Sequence, residues 1–443
     1  MSVNLENIVI QKYGGTSVAN AERIAAAARR ITEVCKAGNK VVVVLSAQGS
    51  TTDRLLEKAR EVNPHASKRE LDMLLSTGEQ QSVALMAIAI HKLGFSAISL
   101  NAAQVGIETT DLYSNARITN IKTNRLLKEL DRHDIVIVAG FQGVSHISYE
   151  LDESDADQDS HTGCVLHEQD ITRSHQHLHA FEPFTDITTI GRGGSDTTAV
   201  ALAAVLHAKV CEICTDVDGI YTADPRIVPN AKKLSAIGYS DMLELTASGL
   251  QKPHHRAVEM AQKFNVKILV RSSMSDAPGT WIKEDSEVER LSVSGLAEDR
   301  NVARVTVMNI ENNPGTPYKI FSLLAEEQIS VDIILQSVGH GSTCDISFTV
   351  HKQDLHDTIR ILDAHKEALG YNMLDTDENL AKLTVVGTGM ATNFGVASDM
   401  FKALYECGVT IQMISTSEIK ITVLIDERQL AAATKAIHDQ FDI

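Results

Sequence analysis

Apolar positions in this chain follow two rhythms. Between Ile8 and Val270, short unbroken apolar runs alternate with longer stretches in which apolar residues return every third or fourth position. The runs Ile8–Ile10, Val41–Leu45, Ala97–Leu100, Ile135–Ala139, Val210–Cys214 and Val266–Val270 predict strands. Unbroken apolarity is what a parallel sheet covered on both faces requires. Between them, Ala19–Lys36, Met73–Leu93 and Thr197–Leu206 predict helices. The first is alanine-rich, a strong helix former, and Gly38 is placed to stop it. Alternation of this kind predicts an α/β sandwich with a mostly parallel sheet.

The rhythm fails between Ser145 and Asp186. An acidic run, Tyr149–Asp159, leads into a histidine-dense piece with His175, His177 and His179. No period is visible, so about 146–186 is expected to be a polar insertion, a long loop or disordered. The three histidines would share a face if extended and could approach a metal there. A solvated loop is the reading adopted, and no metal site is assigned.

Beyond residue 297 the pattern repeats itself. At an offset of 80, Asn313 matches Asn393, Gly315 matches Gly395, Phe321 matches Phe401 and Leu324 matches Leu404. Val331–Ile334 likewise matches Ile411–Ile414. Each copy reads strand, glycine loop, amphipathic helix, strand, turn, strand. Val396, Met400, Leu404 and Cys407 are expected on one helical face of the second copy. Two small ferredoxin-like α+β units in pseudo-symmetric pairing are the expectation.

Composition narrows the function classes. A chain of 443 residues holds about three domains of ~150 residues. A formal net charge of −17 argues against nucleic acid or an anionic membrane as the main partner. A small anionic substrate stays open, because local cations decide that. Met1–Glu6 has neither a basic nor an apolar leader, and no apolar run nears the ~20 residues of a membrane span. A cytoplasmic protein is therefore expected. Six scattered cysteines fit a reducing compartment. Cys211 and Cys214 form a C-x-x-C inside a strand, where residues three apart face opposite ways, so ordinary buried thiols are expected.

Three glycine-rich stretches carry candidate chemistry: Lys12–Ser17, Gly191–Thr198 and Thr215–Tyr221. Each follows an apolar run, and the first two precede helices. A glycine turn there aims backbone N–H groups and a helix dipole at one spot, which suits an anion. Any one of them is as readily a tight turn. Three together, with Lys12 and Arg192 adding positive charge, point to phosphoryl transfer. The Walker signature and the protein-kinase motifs are absent from the sequence. So is a clear nucleophile–base set. A carboxylate acceptor would need none, since a group with a pKa of ~4 is already ionised at neutral pH. The remaining task is to bring two anions together and spread the developing charge.

Lys12–Val18, Gly191–Thr198 and Thr215–Arg226 resemble the signatures of aspartate kinases, of the amino acid kinase fold, and the tail repeat resembles that family's paired ACT domains. The resemblance implies an amino acid kinase domain at 1–297 and ACT domains at 298–375 and 376–443. It implies that MgATP and L-aspartate give 4-phospho-L-aspartate and ADP. Lys12 would sit on the transferring phosphoryl group; Asp196, flanking Arg192, would be catalytic or else only cap a helix. Ser46 and Thr52 would lie near the aspartate, or else cap a helix. Glu79 would receive the substrate ammonium, and Arg192, flanked by Ser195, would hold its α-carboxylate in a two-pronged bridge. Tyr13, Gly14, Gly15, Thr215, Asp216, Tyr221 and Arg226 would face the nucleotide. Gln251 stands where the family places a nucleotide-contacting lysine; Lys252 would substitute if the loop shifts. Asn312, Asn313, Pro314, Gly315, Val331 and Asp332 would grip an effector, lysine or threonine, with Asn393 in the second unit's weaker version of that loop. A homodimer or tetramer through the ACT units is implied. The competing readings are a sensor that has lost catalysis and a kinase of another carboxylate.

Overall fold

The computed structural model describes residues 7–147, 184–284, 293–337, 343–391, 393 and 395–443. Two compact units emerge: Met1–Asp218 with Met260–Pro278, and Gly219–Glu259 with Gly279–Ile443.

The first unit opens with β1 (Ile8–Tyr13), α1 (Ala21–Lys36), β2 (Lys40–Leu45), α2 (Thr51–Val62), α3 (Lys68–Lys92) and β3 (Ala97–Leu100). A one-turn helix, α4 (Ala102–Val105), leads to β4 (Ile107–Thr109), β5 (Ile118–Ile121), α5 (Thr123–Arg132) and β6 (Ile135–Ala139). Then come β7 (Gln142–Ile147), β8 (Phe184–Thr189), α6 (Gly194–Val205) and β9 (Val210–Thr215). β10 (Ala236–Gly238) and α7 (Tyr239–Ala247) belong to the second unit, and α8 (His255–Phe264) brings the chain back to β11 (Ile268–Ser272).

Within this unit the strands lie in the order β11-β9-β1-β2-β6-β3, all parallel. Val41–Leu45 and Ile135–Ala139 are wholly buried, as their unbroken apolarity requires. α1 starts where Asn20 accepts a hydrogen bond from Arg23 N, and it buries Ile24, Ala27, Ala28 and Ile31 on the sheet. A second sheet, β5-β4-β7-β8, was not foreseen. Its strands are short and mixed in polarity. β7 and β8 pair antiparallel from Gln142–Thr189 to Ile147–Phe184, so both ends of the expected loop at Ser145–Asp186 are strand. His175, His177 and His179 lie outside the described residues.

The second unit continues with β12 (Thr280–Lys283), parallel to β10. The first repeat is β13 (Gly295–Glu311), α9 (Thr316–Glu326), β14 (Ile334–Gln336), β15 (Thr343–Val350), α10 (Leu355–Ala364) and the short α11 (Lys366–Leu369). The second is β16 (Met373–Val386), α12 (Val396–Glu406), β17 (Ile411–Thr416), β18 (Lys420–Asp426) and α13 (Leu430–Phe441). α9 and α12 have the same length and stand 80 positions apart. All six strands form one antiparallel sheet, β14-β15-β13-β16-β18-β17, which reads alike from either end. Each repeat carries two long helices where one was expected, and the first adds the short α11. α12 buries Val396, Met400, Ala403 and Leu404, whereas Cys407 caps its C-terminus and is exposed.

The core of the second repeat takes in more than the repeat. Ala223, Val228, Val293 and Leu296 belong to one buried cluster with Leu383, Val385, Met400, Leu404 and Ile437. Thr222 Oγ1 and His438 Nε2 lie 3.1 Å apart in the same region.

Candidate active site

Parallel strands deliver their following loops to one edge of a sheet, and ligands of such sheets bind there. In the first unit these loops are stitched side by side. Ser46 N donates to Tyr13 O (3.1 Å), Gly49 N to Gly15 O (3.0 Å), Gly140 N to Leu45 O (3.0 Å) and Ser273 N to Thr215 O (2.7 Å). Gly15 is required by this closeness: a β-carbon there would stand 2.6 Å from Ala47 O. The first glycine loop is thereby held against the loop that carries Ser46.

Lys12, the penultimate residue of β1, reaches over Gly14, and its Nζ lies 2.5 Å from Asp196 Oδ1. Lys12 is half-buried and Asp196 buried, and Asp196 sits in the first turn of α6, where the helix dipole favours a carboxylate. This pair joins the first glycine loop to the second. Arg192 stands four residues ahead of Asp196 in the same turn and is exposed. Ser195 is buried and packs against Gly140. Lys12 and the loop bearing Arg192 therefore belong to one edge of the sheet.

Glu79, in α3, is 3% exposed. Its Oε1 accepts from Ala47 N (3.0 Å), and its Oε2 has no hydrogen-bond partner among the described residues. Burial raises its pKa to about 7, against the lesser pull of the Ala47 N–H. A buried carboxylate with one open oxygen is suited to a cationic guest. Ser46 precedes Ala47 in the loop and Thr52 lies in the first turn of α2, both half-buried.

Thr215 ends β9, and its hydroxyl donates to Asp216 Oδ1 (3.1 Å). Thr16 Oγ1 lies 3.5 Å from Asp216 Oδ2, a contact that sequence reading missed and that ties the first glycine loop to the third. Tyr221, Arg226 and Lys252 belong to the second unit. There Tyr221 bridges to Lys233 in a short antiparallel contact, and Arg226 is paired with Asp224 at 2.6 Å. Lys252 is half-buried before Pro253, and α8 begins only at His255, so the proline does not interrupt a helix.

A cleft of about 630 Å³ on the outer side of α1 shares only Ser17 with the glycine loop. It is lined by Arg23, Arg29 and Arg30 but also by Glu22, Glu33 and Asp276, so it offers a polyphosphate no excess of positive charge. Cys211 and Cys214 are buried and free. Among the described residues no cluster of metal-ligating side chains is present, and no helix is long and apolar enough to cross a membrane.

In the tail, Asn313 Oδ1 accepts from Gly315 N (3.1 Å) and Thr316 Oγ1 (3.0 Å), fixing the turn into α9 after Pro314. Asn312 Oδ1 accepts from Gln336 Nε2 (3.1 Å). Val331 is half-buried, and Asp332 pairs with the buried Lys382 of the second repeat at 2.6 Å. Lys382 also lies 3.3 Å from Asp299. Asn393 is exposed, and its Nδ2 donates to Gly389 O (2.8 Å).

Residues 7–158 and 169–272 match the model of the amino acid kinase family, and residues 305–365 and 383–441 match an ACT domain. An aspartokinase of Mycolicibacterium smegmatis is 45% identical over 442 residues, covering 98% of this chain and 96% of that one. The chain belongs to the aspartokinase family. Among solved structures, the aspartate kinase of Synechocystis is 38% identical, with a TM-score of 0.51, over 98% of this chain and 69% of that one. Aspartokinase III of E. coli, solved with aspartate and ADP, has the same fold: the TM-score is 0.77 at 24% identity, over 98% of this chain and all of that one.

Proposed function

We propose that this protein transfers the γ-phosphoryl group of MgATP to the side-chain carboxylate of L-aspartate, giving 4-phospho-L-aspartate and ADP, under control of its ACT repeats. The observation that carries the reading is the Lys12–Asp196 pair at the sheet edge that also holds the open carboxylate of Glu79. Glu79 takes the substrate ammonium and Arg192 its α-carboxylate. Ser46, Thr52 and Ser195 supply hydroxyls around the acceptor. A carboxylate oxygen bonds to the γ-phosphorus as the bond from that phosphorus to the β,γ-bridging oxygen breaks, and the electron pair leaves with ADP. The acceptor is already ionised, so no proton has to be removed. Asp196 holds Lys12 in place until the polyphosphate arrives, and Lys12 then spreads the transition-state charge.

Tyr13, Gly14, Gly15, Thr215 and Asp216 face the nucleotide in this reading, and Mg²⁺ enters as part of MgATP. The nucleotide roles of Tyr221, Arg226 and Lys252 rest on the family resemblance alone. The catalytic part is taken as 1–297 and the ACT domains as 298–375 and 376–443. Lysine or threonine is the expected effector, held by Asn312–Gly315, Val331, Asp332 and Asn393. The edge strands β14 and β17, with Ile334, Leu335 and Ile414 exposed, favour pairing of ACT units into a dimer or tetramer. We place the protein in the cytoplasm.

A coupled ADP-release assay with aspartate and MgATP tests the reading. Turnover that disappears in Lys12→Ala while aspartate binding persists supports it; a wild-type protein that releases no ADP in the presence of aspartate refutes it.

A further inference from the structure

We infer that Asp72 is a positioning residue for the amino acid substrate, its buried carboxylate pinning the turn that carries Arg192. The inference rests on the aspartate kinase reading, in which Arg192 holds the substrate α-carboxylate. Asp72 lies in α3 and is wholly buried. It precedes Glu79 by seven residues, two helical turns, so both carboxylates share one face of the helix. Oδ2 accepts from Ser114 N (2.8 Å) and Thr189 N (2.7 Å). Oδ1 accepts from Ser114 Oγ (3.1 Å) and Thr189 Oγ1 (2.8 Å). Four donors thus converge on two oxygens. An apolar residue in its place leaves both buried N–H groups and both hydroxyls without that partner, whereas an amide could still meet them, its oxygen on the N–H groups and its nitrogen on hydroxyls turned to accept.

The segments held by those four bonds are the two walls of the Gly191 turn. Thr189 ends β8, three residues before Arg192. Ser114 has a left-handed backbone (φ 66°), and its carbonyl oxygen lies 2.9 Å from where a β-carbon on Gly191 would stand. Ala116 N donates to Thr189 O (2.9 Å), closing the two walls on each other. Gly191 itself turns at φ +83°, and its carbonyl accepts from Gly194 N (2.9 Å) at the start of α6. A second clamp lies one turn earlier in α3, where Arg69 pairs with Asp186 at 2.8 Å and Tyr113 donates to the same carboxylate. One rigid helix therefore carries the group that receives the substrate ammonium and the anchor of the loop that receives its α-carboxylate. The helix sets the spacing between the two ends of the grip.

The test is steady-state kinetics with saturating MgATP, alongside calorimetric binding of MgADP, for wild type, Asp72→Ala, Thr189→Val and Arg192→Ala. Asp72→Ala, which removes both acceptor oxygens, is expected to raise KM for aspartate at least tenfold while the Kd for MgADP moves less than twofold. Thr189→Val, which loses one hydroxyl bond and keeps the N–H, should raise KM severalfold in the same sense. It decides the matter should Asp72→Ala fail to fold. An unchanged KM for aspartate in the folded variants, with KM raised in Arg192→Ala, overturns the positioning role and leaves the kinase reading standing. Weakening of aspartate and MgADP in parallel with a lower melting temperature also overturns it, since that marks a general loss of structure. An unchanged KM in Arg192→Ala overturns both.

Discussion

The sheets of the two units solve opposite problems with similar lengths of chain. In the first unit all six strands of the main sheet point one way, so residues from β1, β2, β6 and β9 leave at one edge. Lys12, Ser46 and Thr215 meet there although they are far apart in sequence. In the second unit the strands alternate, and their ends are shared between two edges. The sheet instead links its two repeats: Lys382 of β16 pairs with Asp332 of the first repeat, and Arg304 of β13 donates to Gln412 of the second at 2.7 Å. Asp332 and Gln412 are equivalent under the 80-residue offset. A parallel sheet concentrates chemistry, whereas a palindromic antiparallel one ties two equivalent halves together.

Four substitutions sharpen or break that contrast. Lys12→Ala should lower kcat about 10³-fold, the scale of losing a preorganised charge at the reacting group. Far-UV circular dichroism and effector binding should stay as in the wild type. Lys382→Met should spare kcat measured without effector but destabilise the second unit by about 2 kcal/mol, because Asp299 and Asp332 lose the cation they share. Chemical unfolding monitored by circular dichroism reads this loss. A kcat that falls as well would mean that the sheets do not divide the labour as described.

Glu79 gives a pH signature. The substrate ammonium needs the ionised carboxylate, whose pKa is about 7. KM for aspartate should therefore fall roughly tenfold between pH 6 and pH 8, and Glu79→Gln should lose that slope. The folded value lies above the ordinary 4.5, so the buried charge costs stability as pH rises past 4.5 and levels off above 7. Glu79→Gln should then melt higher than wild type at pH 8 and alike at pH 4. Asn313→Ala removes the acceptor for Gly315 N and Thr316 Oγ1 and should cost about 1 kcal/mol, read as a small drop in melting temperature with kcat intact.

The buried parallel strands were legible because burial on both faces leaves unbroken apolar runs such as Val41–Leu45 and Ile135–Ala139. The tail repeat was legible because α9 and α12 keep their length and spacing. The β5-β4-β7-β8 sheet was not, since its strands are short, partly exposed and split by a polar segment. α3 begins at Lys68, earlier than expected, because its first turn is charged and shows no apolar period. At the site, Lys12, Glu79, Arg192 and Asp196 stood out through glycine turns and family likeness. The pairing of Lys12 with Asp196, 184 positions apart, is a product of the fold. Asp72 gave no signal beyond an acidic residue on a helix that also bears Glu79. Its four partners come from two remote turns, and no local pattern announces them.

The cluster that joins Ala223, Val228, Val293 and Leu296 to the second repeat has a practical consequence. A chain cut after residue 297 would keep those four side chains and lose what fills the hollow around them. Such a fragment should come out of cells as aggregate rather than as an unregulated enzyme. Freedom from feedback would have to be sought by point substitution on the surface of the ACT repeats, leaving their interior in place.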